Sequence, residues 1–184
     1  MREIWLKTNQ RPLILGLVVA ALIEAAGMIL VVLSFALKLE LWGWIPGGIL
    51  MAVGTLSILV VTYRLQLPRL AREGNNLLVY LDAPRPTEVP LEIVECFFMG
   101  QGPSMLPNIE GKEAETSNVI VRLAESAQDW RHKDIDPNYG HWCEGYITLR
   151  GAWCEPLSNE ALKDLNHKLV LAHREQKQAA GGKA

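Results

Sequence analysis

His132, His141, Cys143 and Cys154 are side chains of the types zinc prefers, imidazole nitrogen and thiolate sulfur. They lie in and beyond the run Trp130-Arg131-His132-Lys133-Asp134-Ile135-Asp136-Pro137-Asn138-Tyr139-Gly140-His141-Trp142-Cys143-Glu144. Cys143 also stands two residues from His141, a nucleophile and a base by type. Neither chemistry has its usual spacing, because no CxxC or HxxxH pair occurs. GxSxG, HExxH and both common phosphate-binding glycine loops are also missing, and Gly100-Gln101-Gly102-Pro103 is a lone glycine-rich turn. The pattern predicts no catalytic residue, no metal, no cofactor and no identifiable small-molecule substrate. Trp130, Tyr139 and Trp142, with His132 and His141 beside them, instead suit a protein-contact loop, since rigid rings supply contact area at small entropic cost.

A second ionisable group stands out for its surroundings. Glu24 interrupts the apolar run Leu13 to Leu37, where a carboxylate at mid-bilayer would cost about 2.5 to 3.5 kcal/mol even on insertion scales. Such a group either handles protons or ions, binds a partner subunit, or is protonated and hydrogen-bonded to a neighbouring helix. Neither apolar run offers a second charge for a relay, which favours the hydrogen-bonded form.

These residues need elements to hold them. About 20 apolar residues cross a bilayer core, and two runs qualify, at about 13–37 and 45–63. In hydrocarbon the backbone must satisfy itself, so each is expected to be a helix. A cleaved signal peptide has a shorter apolar core and no second span directly after it, and neither run shows the polar face of a soluble helix. In the first, Gly16, Ala20, Glu24, Gly27 and Ser34 form a small-residue stripe; in the second, Gly48, Thr55 and Thr62 repeat, with Gly47, Met51 and Gly54 alongside. These stripes are expected to face each other, with Glu24 level with Gly54 and Thr55.

Arg2, Lys7 and Arg11 precede the first run and Arg64, Arg69 and Arg72 follow the second, whereas the link between them has only Lys38. The positive-inside rule then predicts a multi-pass inner (plasma) membrane protein with both termini cytoplasmic. Trp5, Trp42, Trp44 and Tyr63 mark the expected interfaces, and Arg64, Arg69 and Arg72 suit an anionic lipid surface. With a net charge of −2, the chain lacks the basic excess that nucleic acid requires. Its three cysteines are odd in number and lie in the part assigned to the cytoplasm, so free thiols are expected.

Residues 1–63 thus read as a polar lead-in and a two-helix hairpin, 64–178 as one cytoplasmic domain, and 179–184 as a disordered tail. Alternation predicts a strand leaving the membrane at 64–72, a turn at Gly74-Asn75-Asn76, and strands at 77–81, 87–99, 119–124 and 145–155. Residues 100–117 and 125–144 read as loops. Ser158 or Asn159 caps a closing amphipathic helix carrying Leu162, Leu165, Leu169 and Ala172.

Two spans followed by a strand-rich segment, opened by Leu77-Leu78-Val79-Tyr80-Leu81 and Val89-Pro90-Leu91-Glu92-Ile93, and a final helix resemble the bacterial membrane-anchored pleckstrin-homology-like (PH-like) proteins in layout. The resemblance implies an α+β domain, a small antiparallel barrel or sandwich capped by the C-terminal helix. It also implies a non-catalytic scaffold or adaptor that binds a protein or an anionic lipid surface, with a protein partner or a second copy of itself. Phosphoinositide-binding members of that superfamily carry Lys and Arg around their first strand turn; the corresponding Glu73-Gly74-Asn75-Asn76 has none. Two rival readings are a subunit assembling through the hairpin around Glu24, and a membrane-bound metalloenzyme using the His132 to Cys154 group.

Overall fold

The computed structural model describes residues 2–38, 41–82, 85–103 and 115–181. The chain forms two compact units, Met1–Asn9 with Leu67–Ala184, and Gln10–Gln66.

The second unit is a pair of helices, α1 (Gln10–Ala36, 27 residues) and α2 (Leu41–Gln66, 26 residues). At about 1.5 Å per residue each is close to 40 Å long, against a hydrocarbon core of about 30 Å. Both are long and apolar enough to cross a membrane, and only 11% of each apolar window is buried. A core helix of a soluble protein would be mostly covered.

Small residues decide how the helices meet. A Cβ on Gly54 would lie 2.7 Å from the Glu24 Cβ, and one on Gly27 would lie 2.8 Å from the Gly47 carbonyl oxygen. Residue numbers rise on one helix as they fall on the other, so the pair is antiparallel and in backbone contact, the close approach that small residues allow. Ala20, Gly27 and Ser34 are buried on α1, Gly47 and Gly54 on α2. On α2 the stripe therefore runs through Gly47 and Gly54, not through Gly48, which meets nothing within 4 Å.

Helix α2 continues past Tyr63 to Gln66, where a strand was expected to begin. The polar and apolar alternation of 64–67 is too short to overrule a helix already propagating. Pro68 stops it, because a residue preceding proline disfavours the helical region.

The first unit has two antiparallel sheets and a helix. One sheet is a meander of β1 (Arg2–Leu6), β2 (Leu70–Glu73), β3 (Asn76–Asp82) and β4 (Arg85–Pro90). The other contains β5 (Val94–Pro103), β6 (Glu115–Leu123), β7 (Gly140–Cys143) and β8 (Tyr146–Leu149), in the order β5-β6-β8-β7. Pro90 ends β4, and a 3-10 turn at Leu91–Ile93 carries the chain from one sheet to the other. Helix α3 (Asn159–Gly181) follows.

The amino-terminal residues correct the expected boundary at 63. They are a strand, not a lead-in: Arg2 pairs with Glu73, Glu3 with Arg72 and Ile4 with Ala71. Trp5 and Leu6 are buried in the main core, and Trp5 packs edge-on against Phe97 at 6.1 Å. Trp5 is thus a core side chain and not an interfacial anchor, whereas Trp44 and Tyr63 are exposed; the side chain of Trp42 lies outside the described residues. Five residues are too few for a periodicity test, and the paired residues are 64 to 71 positions apart in sequence.

Two further expectations change. Gly100 to Pro103 belong to β5, with Gly100 and Gly102 leaving room for Ile120 and Asn118 of β6; residues 104–114 lie outside the described ones. Within 125–144, Gly140–Cys143 form β7, which turns into β8 through Glu144 and Gly145, both at positive φ (54° and 80°). That is the two-residue hairpin geometry, made without the usual Asn-Gly or Asp-Gly.

One core joins both sheets and the helix. It contains Leu77, Val79 and Leu81 of β3, Val119 and Val121 of β6, Ile147 and Leu149 of β8, and Leu165, Leu169 and Ala172 of α3. Ser158 Oγ accepts the Ala161 N–H at 3.1 Å and caps α3, and the helix runs to Gly181; residues 182–184 of the expected tail lie outside the described ones. Asn166 of α3 meets the open edge of β5 from both sides: it accepts the Phe97 N–H at 2.9 Å and donates to the Phe97 carbonyl at 2.8 Å. An exposed edge is a template for wrong pairing, and here a side-chain amide occupies it.

Candidate functional site

Within the helix pair the structure brings Glu24, Gly27, Gly54 and Thr55 together. Gly54 lets the backbones close at the level of Glu24, and Thr55 Oγ1 donates to Glu24 Oε1 at 3.1 Å. The bond gives the carboxyl a partner inside its own hairpin.

The 130–144 segment is not one exposed aromatic loop. Trp142 is 1% exposed and donates its Nε1–H to the Trp130 carbonyl at 2.8 Å; the two rings stack at 6.0 Å. This corrects Trp142 as a contact residue, because alternation on β7 turns it into the core between outward His141 and half-buried Cys143. His132 is exposed, its Nε2 lying 3.4 Å from Asp134 Oδ1, and His141 is exposed. His141 and Cys143 share a face of β7, but two residues of strand separate backbones by roughly 6.5 Å, and no hydrogen bond joins them among the described residues.

Cys154 is buried, and its Sγ–H lies 3.4 Å from the Arg150 carbonyl. Burial pushes its thiol up to about 12; the Arg69 charge pulls down against that and Glu155 adds to it. A protonated, covered thiol is neither a nucleophile nor a ready ligand. Among the described residues, no group of three or more His, Cys, Asp and Glu side chains is placed to hold a metal ion.

The three arginines expected at the lipid surface have different surroundings. Arg64 is exposed in the last turn of α2. Arg72 reaches Glu175 of α3 at 2.7 Å and donates through Nε to the Gly74 carbonyl at 3.0 Å, so it ties α3 to the sheet. Arg69 is the centre of a cluster that the sequence does not reveal. Its Nε donates to the Trp153 carbonyl at 3.1 Å and its Nη1 to the Tyr80 carbonyl at 3.2 Å. The guanidinium carbon lies 5.3 Å from the Tyr139 ring centre and 5.9 Å from that of Trp153, and the two rings are 5.5 Å apart. Tyr139 thus leaves the expected aromatic loop for this cluster. A separate open cleft of about 690 Å³ lies beside the β2–β3 turn, lined by Asn75, Asn76, Glu92, His173 and Lys177 among others. Its amides and single lysine offer little charge to a phosphate group.

No protein-family model matches the chain, and comparison with characterised proteins and with solved structures found no similar one.

Proposed function

We propose that the protein is a non-catalytic membrane-anchored scaffold. In this reading α1 and α2 cross the inner membrane as a hairpin, both termini are cytoplasmic, and a PH-like domain offers its surface to a protein partner. The observation that carries it is the position of the hairpin inside the domain: β1 precedes α1, β2 follows α2, and the two strands pair. Paired strands lie on one side of a bilayer, so both ends of the hairpin return to that side. The excess of Lys7, Arg11, Arg64 and Arg69 over Lys38 favours the cytoplasmic side.

Two four-stranded antiparallel sheets closed by a C-terminal helix support the PH-like assignment. The exposed His132 to Asp134 stretch and His141 supply the partner surface. The bond from Thr55 to Glu24 favours packing within one hairpin over assembly with another subunit. Photo-crosslinking in the native membrane tests this, with p-benzoylphenylalanine at His132, His141 and the lipid-facing position Leu22. One defined protein adduct is expected at His132 and His141 and none at Leu22. Protein adducts confined to Leu22, or stoichiometric zinc lost on Cys143→Ser, would overturn the reading.

A further inference from the structure

The chain passes between domain and hairpin without a spacer. Asn9 is fixed in the domain, its backbone N–H on the Trp153 carbonyl and its side-chain amide on the Ala152 carbonyl, both at 2.9 Å. The next residue, Gln10, already opens α1. On return α2 closes at Gln66, and the carbonyl of Leu67 accepts the Thr8 hydroxyl at 2.6 Å. Thr8 bridges to Cys154, and the backbones of Lys7 and Glu155 bond at 3.0 Å. Residues 7–9, 67–69 and 150–155 therefore form one platform through which both crossings leave.

Distance along the chain limits where that platform can be. The apolar run starts at Leu13, four residues after Asn9, and ends at Tyr63, four residues before Leu67. Four helical residues rise about 6 Å. A bilayer of about 40 to 45 Å with a hydrocarbon core of about 30 Å leaves roughly 5 to 7.5 Å of headgroup region on each side. A tether this short keeps the platform within about one helical turn of that layer.

Its composition suits the position. Tyr139 and Trp153 are half-buried rings packed around Arg69, and the Trp153 Nε1–H is already satisfied by the Asn138 carbonyl at 2.9 Å. Pro137 and Asn138 beside them are exposed, and the turn is held by Arg150, whose Nε donates to the Pro137 carbonyl at 2.6 Å. Tyrosine and tryptophan favour the headgroup level. Lys7, exposed and close in sequence to the first crossing, matches anionic headgroups.

We propose that this platform is a phospholipid-contact surface, with Tyr139, Trp153 and the Pro137-Asn138 turn seated among the headgroups and Arg69 holding the rings in place. The inference rests on the membrane reading above, and its test separates the two. Full-length protein in phosphatidylethanolamine and phosphatidylglycerol vesicles would carry p-benzoylphenylalanine at Asn138, at Leu22, or at Glu125, an exposed side chain in the turn after β6. Irradiation and mass spectrometry would then score phospholipid adducts. Adducts at Asn138 at least ten-fold above Glu125 are expected, with Leu22 labelled strongly. Labelling at Leu22 with Asn138 no higher than Glu125 overturns the platform; absence of lipid adducts at Leu22 overturns the membrane reading itself. Pro137, probed in the same way, gives the same readout should the Asn138 variant fail to fold.

Discussion

The helix pair and the sheet domain bury residues by opposite means. In the pair the contact is made by Gly27, Gly47 and Gly54, where a single added carbon would collide with the opposite helix. In the domain it is made by Trp142, Phe97, Leu165 and Ile147, whose volume fills the space between two sheets and a helix. In the proposed membrane reading, water accounts for the difference. Where apolar surface leaves water, each large side chain contributes about 1.5 to 3 kcal/mol; where the surroundings are themselves apolar, only close approach and internal hydrogen bonds hold helices together. Side-chain size should therefore act with opposite sign in the two units.

The largest effect is expected in the domain. Trp142→Ala removes a buried indole and its bond to the Trp130 carbonyl, and should cost about 3 to 5 kcal/mol in chemical denaturation. A loss under about 1 kcal/mol would break the comparison. Alkaline titration probes the same core at Cys154. Its folded pKa, about 12, lies above the ordinary value of 9.0, so the folded state keeps a proton that the unfolded state releases. Stability is unaffected below about pH 9 and falls as pH climbs towards 12, by up to roughly 4 kcal/mol. Cys154→Ala should flatten that slope in denaturation curves collected across the range.

Smaller changes sharpen the hairpin side. Gly54→Leu forces a branched side chain against Glu24 and should cost about 1 to 3 kcal/mol of helix-pair stability, whereas Gly48→Leu, at a position open for 4 Å, should cost little. Thiol crosslinking between the two helices in vesicles would read the contrast. The smallest effect concerns Trp5, whose buried Nε1–H has no partner among the described residues. Trp5→Phe removes that unsatisfied donor while shrinking the ring, and the two terms should offset to within about 1 kcal/mol in thermal melts.

What the sequence revealed follows from the length over which a signal repeats. The two apolar helices, the β2–β3 turn at Gly74 and the buried face of α3 each rest on several residues in phase. Strand β1 rests on five residues and a partner beyond the hairpin, so no local pattern announces it. The same holds for the Arg69 platform, assembled from residues 7–9, 67–69, 137–139 and 150–155. Trp142 was legible as an aromatic residue but not as an inward one, since β7 is four residues long and its Glu144-Gly145 turn lacks the usual signature. Asn166, which closes the edge of β5, carries no sequence mark that separates it from any helical asparagine.

The proposed topology requires one domain closed across the two-helix hairpin. Arg2→Cys with Glu73→Cys tests this directly, because the two positions are partners in the β1–β2 ladder. Their antiparallel Cα separation, about 4.5 to 5.5 Å, falls in the range a disulfide spans. After mild oxidation of native membranes, peptide mass spectrometry should find positions 2 and 73 linked in most molecules. Unlinked thiols at the two positions, labelled by an impermeant reagent from opposite sides of the membrane, would contradict it.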